Sequence, residues 1–64
     1  MTDAQRAALL TAAQAGVGLR QAMEAEGMNV EKELTLIQRS DRQLAGMGQP
    51  TFEAAYLAAK AGAS

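Results

Sequence analysis

The fold is decided around residues 46–51, which read Gly46-Met47-Gly48-Gln49-Pro50-Thr51. Two glycines and the only proline of the chain interrupt a sequence that otherwise favours helix. Because Thr51 is a good N-cap residue, the stretch predicts the end of one helix and the beginning of another. We expect this last helix to run from Phe52 to about Ala61 and to be closed by Gly62.

Two earlier helices are predicted from similar signals. Thr2 is followed three residues later by Gln5, which fits a capping box and predicts a helix from Asp3 to about Ala15. Gly16 suits the position after the end of this helix, since glycine adopts the left-handed conformation without penalty. A second helix is expected from about Leu19 to Glu26.

A third helix should follow, capped by Asn29. Apolar residues recur after it at helical spacing, at Val30, Leu34 and Ile37. Ser40 and Gln43 repeat the capping-box pattern, so we expect a break or kink there. The alternative is one helix that continues through Leu44.

No stretch alternates between apolar and polar residues with a period of two, so no strand is expected. The sequence predicts an all-α fold in a single domain, residues 1–64, built as a small bundle of four to five short helices. A chain of 64 residues with two aromatic residues can bury only a small core. Because it has no cysteine and no histidine, disulfides and a structural zinc site cannot reinforce that core, and we expect docking on a partner to do so.

The residues needed for most catalytic chemistry are missing. Histidine and cysteine are absent, and most of the seven acidic residues occupy positions that a helix would expose. We therefore expect no enzyme activity, no catalytic residue, no cofactor and no metal. The net charge is −1, and no apolar run approaches the about 20 residues of a membrane span. The polar N-terminus lacks a signal-peptide pattern, which favours the cytoplasm or a virion assembly.

Part of the chain resembles a known DNA-binding family. The residues that carry the resemblance are Leu19, Arg20, Ala22, Gly27 and Met28 in one segment, and Phe52, Tyr56 and Ala59 in another. The first segment resembles the opening helix of the helix-turn-helix domain of phage terminase small subunits. The second is similar to a Phe-x-x-x-Tyr-x-x-Ala helix of the same proteins. The resemblance implies a helix-turn-helix that binds DNA.

Under this interpretation the phosphate contacts would come from Lys32, Arg39 and Arg42. The charge pattern disfavours nucleic acid, since binding a duplex requires several phosphates to be neutralised. Asp41 lies between the two arginines, and Glu31 and Glu33 precede them where residues that contact bases are expected.

The leading prediction is therefore a non-catalytic protein–protein interaction or assembly module, such as a small phage structural or accessory protein. Its partner would be another protein or a second copy. Alanine-rich faces of the first and last helices suit close packing on a neighbouring helix. The candidate interface residues are Leu9, Leu10, Phe52, Tyr56 and Leu57. We expect Tyr56 to be the main anchor, because tyrosine is enriched at binding hot spots.

Overall fold

The computed structural model describes residues 1–63 of the chain. Within this range it contains four helices: α1 (Asp3–Gln14), α2 (Leu19–Ala25), α3 (Val30–Gly46) and α4 (Phe52–Ala61). The described residues include no strand. The predicted all-α class is confirmed, with four helices.

The predicted caps form at the helix starts. The hydroxyl of Thr2 accepts a hydrogen bond from the Gln5 N–H, and the Gln5 side chain accepts one from the Thr2 N–H. Asn29 caps α3 and Thr51 caps α4 by accepting from the backbone three residues later. Each cap satisfies an N–H group that has no partner within its helix.

Three of the helices end in the same way, at a glycine with positive φ. These glycines are Gly16, Gly27 and Gly48, with φ of 84°, 70° and 70°. After α1, the Val17 N–H donates to the Ala12 carbonyl and the Gly16 N–H to the Ala13 carbonyl. The same pair of bonds follows Gly27 and Gly48. This is the Schellman motif, which uses glycine because other residues are strained at such angles.

The predicted break at Ser40 is wrong, because α3 continues without interruption to Gly46. Ser40 is exposed, whereas Ile37 and Leu44 continue the inward face of the helix on either side of it. Asp41 shares that inward face, and its carboxylate binds the start of α4. Packing against α4 therefore keeps the helix intact through a sequence that resembles a helix start.

The core of the described chain consists of seven buried residues. They are Leu9, Ala13, Ala22, Met23, Ile37, Phe52 and Tyr56. Only Ile37 comes from α3, although α3 is the longest helix, with 17 residues.

The helix that α1 contacts most is α4. The two helices run in the same direction. The Arg6 guanidinium lies 5.2 Å from the centre of the Phe52 ring near their N-termini. At the other end, a Cβ added at Gly16 would lie 3.7 Å from the Cβ of Ala63. Since α1 and α4 are parallel, α2 and α3 together form the connection that returns the chain to the starting end.

Candidate protein-binding groove

An open groove of about 210 Å³ lies where the inward side of α3 faces the start of α1 and the start of α4. Its apolar lining consists of Met1, Leu36, Ile37, Leu44 and Phe52. Its polar lining consists of Arg6, Glu33, Ser40 and Asp41. The groove exists because α3 contributes so little to the core that one side of it remains uncovered.

The apolar lining has a buried floor and an exposed rim. Ile37 and Phe52 are buried in the core, and Leu44 is half-buried beside them. Leu36 is 43% exposed and Met1 42% exposed, so these two side chains form the rim. An incoming apolar group would therefore contact both the floor and the rim and remove apolar surface from water.

One end of the groove is fixed by Asp41. One oxygen of its carboxylate accepts a hydrogen bond from the Phe52 N–H at 2.8 Å, and the other accepts from the Glu53 N–H at 3.0 Å. Thr51 accepts from the next free N–H, that of Ala54, at 3.1 Å. The carboxylate also faces the positive end of the α4 dipole. Asp41 thus fixes the start of α4 against the second half of α3 and sets the width of the groove there.

The other end of the groove carries charges with few partners. One carboxylate oxygen of Glu33 is buried, has no hydrogen-bond partner and lies 3.7 Å from the amino group of Met1. The Arg6 guanidinium lies over the Phe52 ring, which is a cation–π arrangement. These groups surround the apolar floor with polar atoms, as is common in sites that fix the orientation of a bound group.

The predicted interface residues are divided between the core and the surface. The side chains of Leu9, Phe52 and Tyr56 are buried, so in this structure they form the core and expose almost nothing to a partner. Tyr56 in particular is 2% exposed, and its hydroxyl is bound to the Val17 carbonyl within the chain. Leu10 is half-buried, and Leu57 is 57% exposed. Only Leu57 of the five presents a large free apolar surface.

The predicted nucleic-acid contacts are all exposed on α3. Lys32, Arg39 and Arg42 lie at spacings of seven and three residues and so share its outward side. Asp41, expected to weaken this patch, faces the opposite way and binds the start of α4. Glu33 also faces inward and is half-buried. Of the three acids, Glu31 is the one that lies exposed on the same side of α3 as the basic residues, eleven residues before Arg42.

Of the residues that line the groove, sequence reasoning named only Phe52 as an interface candidate. Leu36 was visible as an apolar residue beside Leu34 and Ile37, but the pattern did not mark it as part of a binding surface. The signal that distinguishes it is its spacing. Leu36 lies one residue before Ile37 and hence about 100° from it around the helix, outside the face that reaches the core.

Two negative findings apply to the part of the chain that the structure covers. Residues 1–63 contain no group of three or more acidic side chains placed to hold a metal ion. None of the helices within that range has the length and apolar character needed to cross a membrane.

Comparison of the chain with protein-family models, with curated proteins and with solved structures finds no match.

Proposed function

We propose that this protein is a non-catalytic interaction module that binds another protein through the groove between α3, α1 and α4. The observation that carries the proposal is the open apolar floor of Ile37, Leu44 and Phe52 beneath the exposed rim residue Leu36. The absence of histidine and cysteine from the sequence supports a role without catalysis.

The exposed area of the chain supports a binding role. A folded monomer of 6.7 kDa is expected to expose about 3,900 Å² from the general relation between area and mass. The structure exposes 4377 Å². The chain therefore leaves more surface uncovered than the relation gives for its mass, and docking would cover part of that surface.

The size of the groove favours a protein partner over a small molecule. Pockets for small ligands usually enclose about 300–1,000 Å³, whereas this groove has about 210 Å³ and is open to solvent. It suits one large apolar side chain projecting from a partner helix or loop, in the manner of a hot-spot residue that fills a pocket.

Site-specific photocrosslinking in the cells that produce the protein tests this proposal. A photoreactive amino acid at Leu36, on the rim, should give one adduct of discrete mass, and mass spectrometry identifies the partner. The same group at Gln38, which is exposed on another side of α3, is the matched control and should give none. Ser40→Trp, which fills the groove, should abolish the adduct at position 36. Equal labelling from both positions, or none from position 36, would refute the proposal.

A second candidate function is DNA binding by the helix-turn-helix that α2 and α3 would form. The observation that favours it is the outward row of Lys32, Arg39 and Arg42, which Asp41 does not oppose. In such proteins the second helix enters the major groove, and neighbouring basic residues contact phosphates.

A fluorescence titration with duplex DNA at about 50 mM salt, where phosphate contacts dominate, separates the two functions. The DNA-binding candidate requires an affinity that falls steeply with salt and falls again in Arg39→Gln. Lys60→Gln removes a cation from α4 and is the control. If the chain does not bind at this salt concentration, the second candidate is eliminated and the groove proposal is unaffected.

A further inference from the structure

The outward face of α4 is apolar and has no partner within the described chain. The residues on it are Ala54, Leu57, Ala58 and Ala61, all exposed and spaced i, i+3, i+4 and i+7. The core residues Phe52 and Tyr56 lie on the other side of the helix. Leu57, near the middle of this face, is 57% exposed, the second-largest exposure among the large apolar residues described.

Two opposite charges border this face on the same side. Glu53 and Lys60 are seven residues apart, which is about two turns, so their side chains lie in one row beside Leu57. Both are exposed, and neither forms an ion pair with another residue in the range 1–63. The negative charge lies near the start of α4 and the positive charge near its end.

We propose that this face, which we call the α4 face, binds a second copy of the same chain, with the two α4 helices antiparallel. A twofold axis near Leu57 brings Glu53 of one copy level with the partner's Ala61, one residue or about 1.5 Å from the partner's Lys60. The same axis places the charged side of one helix beside the charged side of the other. Two reciprocal pairs of Glu53 with the partner's Lys60 therefore form.

The charges also select the direction of pairing. In a parallel pair the twofold axis would run along the helices and place the charged side of one helix on the opposite flank from the charged side of the other, so Glu53 would not meet the partner's Lys60. The alanines on either side of Leu57 allow the two backbones to approach closely, so that Leu57 contacts the partner's Leu57 across the axis.

The size of the face indicates a weak dimer. A helix of 10 residues is about 15 Å long, and its single face is smaller than the about 800 Å² per partner of a standard interface. We expect a dissociation constant on the order of 0.1–1 mM. The inference goes beyond the proposed function, because it concerns a different surface and a different partner.

Charge-reversed variants test the arrangement by sedimentation equilibrium at about 0.02–2 mM protein, a range that brackets the expected constant. Glu53→Lys and Lys60→Glu each place like charges together in the homodimer, so each variant alone should dimerise about tenfold more weakly or not at all. An equimolar mixture restores both attractive pairs and should associate about as well as the original protein. Circular dichroism melts of each variant check that α4 stays folded.

Two further variants distinguish this surface from the groove. Leu57→Lys should abolish dimerisation, whereas Leu36→Glu should leave it unchanged and remove only binding in the groove. If the mixture of charge-reversed variants fails to associate while each is folded, the antiparallel arrangement is overturned. It is also overturned if Leu36→Glu abolishes self-association, because Leu57 of one copy would then occupy the groove of the next.

Discussion

The hydroxyl of Tyr56 donates a hydrogen bond to the carbonyl oxygen of Val17 at 2.6 Å, across 39 positions of sequence. Val17 lies in the short joint between α1 and α2, directly after Gly16. The bond therefore joins the middle of α4 to the loop between α1 and α2. It also satisfies the polar end of a side chain that is otherwise enclosed by apolar residues.

Tyr56→Phe should lower the free energy of unfolding by about 0.5–1.5 kcal/mol, because the Val17 carbonyl loses its partner while the ring stays buried. Urea denaturation followed by circular dichroism measures the change. Thr35→Ala is the control, since the Thr35 hydroxyl bonds only within its own helix at the surface, and it should change stability by less than about 0.5 kcal/mol. Equal effects of the two substitutions would show that the Tyr56–Val17 bond contributes little.

The same tyrosine predicts a loss of stability at alkaline pH. Burial raises the pKa of the Tyr56 hydroxyl above its ordinary value of 10.0, because the phenolate would be poorly solvated. The unfolded chain loses this proton near pH 10.0, so the stabilisation is complete below that pH and is lost as the pH rises through the folded-state pKa. Tyr56 is the only tyrosine and the chain has no tryptophan, so the ultraviolet absorbance of phenolate reports this group alone. A titration midpoint no higher than that of the urea-unfolded chain would contradict the prediction.

Removing the charge of Asp41 should loosen the start of α4. In Asp41→Asn the amide nitrogen would face one of the two N–H groups that now bind the carboxylate, and the interaction with the helix dipole would be lost. We expect a destabilisation of about 1–2 kcal/mol. Glu24→Gln, which removes an exposed charge from α2, is the matched control and should be nearly neutral. Slowed amide exchange at Phe52 and Glu53 in the original protein, and faster exchange in the variant, would confirm the location of the effect.

Gly46 and Gly48 are two residues apart, yet replacing each of them with alanine should change the stability of the fold in opposite directions. Gly46 is the last residue of α3, and an added Cβ would meet no atom within 4 Å. Gly46→Ala should therefore stabilise the fold by about 0.5–1 kcal/mol through helix propensity. Gly48 has a φ of 70°, so Gly48→Ala should destabilise it by about 1 kcal/mol, although the space is equally open. Thermal melts of both variants measure the pair, and changes of the same sign would contradict the prediction.

Truncating two leucines from the predicted interface, one buried and one exposed, should have very different effects on stability. Leu9 is fully buried, so Leu9→Ala should cost about 2–5 kcal/mol. Leu57→Ala, on the exposed α4 face, should change the stability of the monomer by less than about 0.5 kcal/mol. Denaturation of dilute protein tests both, since dilution removes the contribution of any dimer. A large loss on truncating Leu57 under these conditions would mean that it belongs to the core.

The helices could be predicted from sequence because their signals are local. The Thr2 and Thr51 caps each act on an N–H three residues away, and a glycine such as Gly16 ends its helix through bonds to the preceding turn. Such features require no knowledge of the rest of the fold. The helix boundaries expected from them differ from the structure by one residue or none at the ends of α1, α2 and α4.

The errors arose where the determining contact is distant in sequence. The Ser40–Gln43 pattern is a valid capping signal, but α3 stays intact because Asp41 reaches α4, eleven residues further along the chain. The burial of Tyr56 and its bond to Val17 could not be predicted from residue type, because they depend on α4 lying beside the end of α1. The groove was missed for the same reason, because it exists only where α3 leaves a gap beside the starts of α1 and α4.

The parallel arrangement of α1 and α4 also bears on how the chain folds as it is made. The ribosome releases α1 first, yet α4, the helix that α1 contacts most, is the last of the four helices to emerge. Nascent α1 and α2 can form helical turns early, but their apolar sides stay exposed to water until α4 leaves the exit tunnel. Folding of this small domain is therefore expected to wait until α4 has left the exit tunnel, and chains released before α4 is synthesised should be recognised by proteases as unfolded.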